Sequence, residues 1–170
     1  MNEVFDAVRT VLAVRTYKDD RVPEDVLGRI VEAAHLSASA RNDQPWHFVV
    51  VQDVGMLRDL AVIAKSGRYL EHAAVAVVVA IERTAFAVSD ASRAIQSMVL
   101  TAWAEGVGSN WVGFLGGLDD VKPLLGIPDE LDVLSIVPFG YPADSIGAGR
   151  KKREPLGDVV HRERFGTPFA

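Results

Sequence analysis

A chain of 170 residues with a net charge of -5 and a pI near 5.3 lacks the broad basic face that nucleic acid or an anionic membrane demands of a principal partner. With no cysteine it forms no disulfide, offers no thiolate nucleophile and ligates no metal through sulfur. The length suits one domain, 1-170, and the longest apolar run, Ala73 to Ile81, falls far short of the roughly 20 residues of a membrane helix. Acidic residues in Met1 to Asp6 replace the basic start of an export signal, so the expected location is cytoplasmic.

Val4, Phe5, Val8, Val11 and Leu12 recur at three- and four-residue steps. This predicts an amphipathic helix ending near Ala13, with an apolar stripe that must pack on something. In the following Val14 to Asp20, Arg15 stands beside Tyr17 and is either a solvated charge or an anion hook. Pro23 opens a second helix, with Glu24 and Asp25 in its first turn and Val26, Leu27, Ile30, Val31 and Ala34 as its buried stripe. That helix delivers a loop from Ser37 to Gln44. Ser37, Ala38, Ser39 and Ala40 are small enough to let a flat group approach the backbone, while Asn42 and Gln44 each offer a donor and an acceptor. Pro45 stiffens the exit, and Trp46 can bury a ring with its N–H at a pocket edge. The same composition also suits an ordinary helix-to-strand connection.

Phe48 to Gln52 reads as a strand, Asp53 as the cap of a helix carrying Leu57, Leu60, Ala61 and Ala64, and Gly67 to His72 as a polar turn. Ala73 to Ile81 is rich in β-branched residues and predicts a central strand buried on both faces. Asp90 is expected to cap the next helix, whose stripe from Ala91 to Trp103 is broad enough for a core helix or one at the middle of a dimer. Gly106-Val107-Gly108 ends that helix and precedes a strand, the reverse of a dinucleotide-binding turn, and no third glycine follows at the required place. Gly113 permits either a close approach or a bulge. Val121, Leu124 and Leu125 form a short helix closed by Gly126, and Val133 to Pro142 is a late strand. Ala143 to Gly149 is a small-residue linker before the basic run Arg150 to Arg153, which is a solvated face, an import signal or an anion grip. His35, His47, His72 and His161 show no metal-ligand spacing, and no serine sits in a nucleophile elbow.

Asn42-Asp43-Gln44-Pro45-Trp46-His47-Phe48-Val49-Val50-Val51 resembles the N-x-Q-P-W-x-F-hydrophobic signature of the nitroreductase family, the FMN-dependent homodimeric oxidoreductases. Gly106 to Gly113 is similar to the family segment that runs beneath the flavin, and Gly140-Tyr141-Pro142 resembles its late-strand ending. Arg15 and Tyr17 match the second half of an N-terminal phosphate-binding run, with Val11 and Ala13 in place of its arginine and serine. Lys151, Arg153 and Pro155 match a second phosphate grip.

The resemblance implies an α+β fold with a mainly antiparallel central sheet flanked by helices, with residues 143-170 packing on a dimer partner. It implies FMN held by Arg15, Tyr17, Ser37, Ala38, Ser39, Ala40, Asn42, Gln44, Val112, Gly113, Lys151 and Arg153. No protein residue is then expected to be catalytic, because flavin N5 carries the chemistry. The implied reaction is ping-pong: NAD(P)H donates hydride to the flavin, and a small planar acceptor such as a nitroaromatic, quinone or enone receives it. The alternatives are a flavin-binding module without turnover and an oxygen-using relative acting on reduced flavin.

Overall fold

The computed structural model describes residues 2–144 and 151–169. At its centre lies a four-stranded sheet in the order β1 (Trp46–Val51), β2 (Val75–Ile81), β4 (Asp132–Gly140) and β3 (Gly108–Ser109). Neighbouring strands are antiparallel throughout, and one parallel bridge from Ala13 to Ser109 attaches the N-terminal segment to the edge. This is the α+β arrangement that the sequence implies.

β2 is buried along its whole length because both of its faces are covered. On one side Val75, Val77, Val79 and Ile81 share a core with Ile30 and Ala34 of α2 (Glu24–His35) and with Ala91, Ile95 and Met98 of α4 (Ala87–Ala104). On the other, Ala76, Val78 and Ala80 meet Leu57 and Leu60 of α3 (Val54–Ile63), Leu70, and Val121 of α5 (Val121–Leu125). Alternate side chains of a strand point to opposite faces, so one run of seven residues organises both layers. Leu134 stands unopposed in a bulge where the β2–β4 register shifts between Val79 and Ala80.

Local chemistry fixes the helix ends. Asp53 caps α3 as expected, its Oδ1 accepting the Met56 N–H at 2.9 Å. Gly126 stops α5 in the left-handed region at φ 66°. Pro23 stands just outside α2, whose first turn carries Glu24 and Asp25.

Two expectations are corrected. Asp90 does not cap α4: the turn at Thr84 already starts the helix at Ala87, and the Asp90 N–H donates within the helix to the Phe86 carbonyl at 2.9 Å. Its side chain serves another segment. The first helix, α1 (Glu3–Thr10), ends short of Ala13, because Val14 N–H must reach the Ser109 carbonyl at the sheet edge, 2.8 Å away.

The apolar stripe of α1 faces outward, with Val4, Phe5 and Val8 exposed by 70%, 62% and 45%. The C-terminal segment behaves alike: α6 (Leu156–Val159) exposes Leu156 and Val159, and Phe165 projects from a turn closed by the His161–Pro168 bridge. Of the linker expected from Ala143 to Gly149, only Ala143 and Asp144 fall within the described residues, and Arg150 of the basic run lies outside them. Among the described residues no helix is long and apolar enough to cross a membrane.

Candidate functional site

The loop after α2 is held in an unusual backbone shape. Arg41, Asn42 and Gln44 have φ of 54°, 61° and 51°, a region that side chains other than glycine occupy at a cost of about 1–2 kcal/mol each. Internal hydrogen bonds hold this kink. Asn42 N–H donates to the Ser39 carbonyl at 3.2 Å, Gln44 N–H to Ser39 Oγ at 3.0 Å, and Gln44 Nε2 to the Asn42 carbonyl at 3.1 Å.

Two contacts reach α4. Ser37 Oγ lies 2.7 Å from Ser97 Oγ, and Ala40 N–H donates to Asp90 Oδ2 at 2.9 Å. The hydroxyls of Ser37 and Ser39 therefore shape the loop. Ala38 and the Asn42 amide are exposed, and the amide takes no partner among the described residues.

The basic residues come from the two ends of the chain. Thr16 and Lys18 pair with the end of the late strand: Ala143 N–H donates to the Thr16 carbonyl at 3.0 Å, Lys18 N–H to the Tyr141 carbonyl at 2.8 Å, and Thr16 Oγ1 to Asp144 Oδ2 at 3.2 Å. Arg15 is exposed and forms no ion pair among the described residues. Tyr17 turns inward instead. Its hydroxyl donates to the Val14 carbonyl at 2.8 Å, and burial, reinforced by Tyr69 and opposed by Arg15, pushes its ionisation far above the ordinary tyrosine value.

Lys151 donates to the Val8 carbonyl of α1, which brings the C-terminal segment back to the N-terminal one. Its ammonium is held below the usual lysine value by burial first and by neighbouring Arg153 second. Arg153 is exposed and donates to the adjacent Lys152 carbonyl at 2.8 Å. Arg15 and Arg153 share no hydrogen-bond or ion-pair partner among the described residues.

The third portion follows β3. Val112 exchanges both backbone hydrogen bonds with Ile136, at 2.9 and 3.0 Å, so its own N–H is occupied. Gly113 is next, at φ 72°, with Leu118 packed so closely that a methyl on its Cα would stand 2.7 Å from Cδ1. Only glycine meets both demands. The half-exposed Gly113 N–H has no partner among the described residues.

The 67–72 turn supports this segment. Gly67 abuts Val112, and Asn110 Nδ2 donates to the Tyr69 hydroxyl. A cleft of about 570 Å³ opens elsewhere, among Lys18, Arg21, Glu24, Gln52, Arg58 and His72, and none of the twelve expected site residues lines it. Its walls mix both signs of charge and include no residue of the 37–44 loop, Gly113 or the Lys151–Arg153 run.

The supporting residues Asp90, Ser97 and Tyr69 carry no sequence motif. The one available signal was Asp90 itself, a carboxylate at a position whose neighbours Ala87, Ala91 and Ala94 are core residues.

Helices on both faces of a small antiparallel sheet make this an α+β protein, with a kinked amide-bearing loop after α2 and basic residues from both ends of the chain. The chain belongs to the Nitroreductase family, whose model matches residues 9–83 and 64–141. A protein of Methanothermobacter thermautotrophicus named NADH dehydrogenase/NAD(P)H nitroreductase is 32% identical over 171 residues, covering 96% of this chain and 88% of its own. One of the same name from Archaeoglobus fulgidus is 33% identical over 174 residues, covering 97% and 100%. The solved structure of an FMN-dependent nitroreductase from Clostridium difficile R20291 matches with a TM-score of 0.82 at 26% identity, over 95% of this chain and 99% of that one.

Proposed function

We propose that this chain is an FMN-dependent oxidoreductase that takes reducing equivalents from NAD(P)H and delivers them, in a ping-pong sequence, to a small electron-poor acceptor such as a nitroaromatic, quinone or enone. The carrying observation is the strained loop from Ser37 to Gln44, which leaves the Asn42 amide free beside small residues. Backbone held in a sparsely populated shape is a common mark of a ligand site.

The residues present fit FMN. Arg15, Lys151 and Arg153 supply cations for a phosphate of about two negative charges, and guanidinium–phosphate hydrogen bonds are of the strong, charge-assisted kind. Asn42 and Gln44 offer donors and acceptors of the type that ring carbonyls and ring nitrogens require. Gly113 contributes an N–H that has no partner among the described residues. When bound, FMN supplies the two-electron chemistry, and the protein supplies position, electrostatics and access. Tyr17 then contributes through its backbone position and its packing on Gly140, since its hydroxyl is already bonded.

A homodimer completes this reading. The outward stripe of α1 and the exposed Leu156, Val159 and Phe165 need an apolar cover, and a second copy closing over them provides an isologous interface. Residues 143-170 would pack on that copy.

The spectrum of the purified protein is the test. Bound flavin with visible absorption, bleached under anaerobic conditions by NADH or NADPH and restored by a quinone or nitroaromatic, is the expected result. Colour that reduced nicotinamide does not bleach reassigns the chain to a binding module, and failure to take up added FMN defeats the proposal.

A further inference from the structure

We propose that Asp90 is a positioning residue for the flavin loop: its buried carboxylate, seconded by Ser97 two turns along α4, holds Ser37 to Gln44 in the kinked conformation before the ligand arrives. This rests on the reading of that loop as the FMN site.

The Asp90 side chain is fully buried on a helix face otherwise made of Ala87, Ala91 and Ala94. A carboxylate there is costly unless its oxygens are satisfied. Both are: Oδ2 accepts the Ala40 N–H at 2.9 Å, and Oδ1 accepts Arg93 Nη2 at 2.6 Å. Within α4 the carboxylate does not act as a cap: the Asp90 N–H is bonded to Phe86, and the side chain's partner on the helix is Arg93. Its other oxygen, Oδ2, serves a residue 50 positions away in sequence.

That residue is well chosen. Ala40 immediately precedes Arg41 and Asn42, two of the three left-handed residues, so the Asp90 contact fixes the entry to the kink. Ser97 follows Asp90 by seven residues, about two helical turns, and so lies on the same face. Its hydroxyl meets that of Ser37 at 2.7 Å and the Arg93 carbonyl at 3.2 Å. The loop is thus pinned at both ends of the Ser37 to Ala40 stretch to one rigid helix. Without the pins the strained residues relax, and the ligand must select a minor population, which weakens apparent affinity by the fraction lost.

The test uses full-length apoprotein carrying Asp90→Ala, Asp90→Asn or Ser97→Ala, with FMN titrated by fluorescence quenching and amide hydrogen exchange followed along the chain. Asp90→Ala is expected to weaken FMN binding about tenfold and to speed exchange at Ala40 and Asn42, while β2 amides keep their protection. Asp90→Asn keeps an acceptor for Ala40 and is expected to recover part of both effects. Ser97→Ala, at a half-buried position, is expected to fold normally and to show a smaller loss in the same direction.

A folded Asp90→Ala protein with unchanged FMN affinity overturns the proposal. If that variant does not fold, unchanged affinity and exchange in Ser97→Ala overturn it instead. Wild-type protein that takes up no FMN defeats the functional reading, and the exchange rates alone then decide whether Asp90 holds the loop.

Discussion

Gly108 lies so close to Val14 that a methyl on its Cα would stand 2.4 Å from Val14 Cγ2 and 2.7 Å from Cβ. Val14 is buried, its N–H bonds to Ser109, and Arg15 follows directly, so this contact seats the basic N-terminal segment against the sheet edge. Gly108→Ala is expected to destabilise the protein by about 1–3 kcal/mol in urea unfolding, the usual cost of overpacking. Val14→Ala in the same chain should return part of that loss, since neighbours in contact are not additive. Equal stability of Gly108→Ala and wild type would refute the steric argument.

Ser135 makes the opposite case. Its hydroxyl is fully buried on β4 opposite Val79, beside the bulge, and has no hydrogen-bond partner among the described residues. An unsatisfied buried polar group carries its desolvation penalty with no return. Ser135→Ala should therefore leave stability unchanged or raise it by up to about 1 kcal/mol, read as a shift in urea midpoint at constant slope. A clear loss of stability would show that the hydroxyl is bonded after all.

Arg29 joins α2 to the end of α4, donating to Glu105 Oε1 at 2.7 Å and to Asp25 Oδ2 at 3.1 Å. Hydrogen bonds from Arg29 hold both carboxyls below their ordinary values, with burial acting the other way. A folded-state value below the unfolded one means that the unfolded chain binds protons first as pH falls. The contribution is complete above the ordinary carboxylate range, about pH 4, and is lost as pH drops through the lowered folded values. Glu105→Gln should melt below wild type at pH 7 by a gap that closes toward pH 3 and narrows in high salt, because the pair is exposed. A gap independent of pH would remove the ion pair from the account.

Phe5 tests the proposed assembly. A residue 62% exposed on the outward stripe of α1 is unimportant to a monomer and central to an interface. Phe5→Asp should shift the sedimenting species from dimer to monomer and lower FMN affinity with it. A wild-type monomer that binds FMN would contradict the proposed homodimer.

Much of this architecture was legible in the chain because it depends on neighbours in sequence. The Ala73 to Ile81 run announced a strand covered on both faces, which forms from Val75 on, Asp53 announced a cap, and Gly126 a helix end; all three stand. What eluded pattern was set by contacts between distant residues. Asp90 precedes an apolar stripe and looks like a cap, yet its partner is Ala40. The Val4, Phe5, Val8 periodicity gave the helix but not which surface covers it, and Ser37 and Ser39 looked like ligand groups while the Ser37 hydroxyl meets Ser97 of α4 and the Ser39 hydroxyl holds the loop's own backbone.

The strand order carries a consequence for synthesis. β4 lies between β2 and β3, so the most apolar strand of the sheet waits for residues 132–140 before its second edge is paired. A nascent chain stalled before that point displays an open ladder of valines, the kind of surface that recruits other chains into aggregates. Ribosome pausing within α5, or premature release there, should thus be more damaging to yield than the same interruption after Gly140.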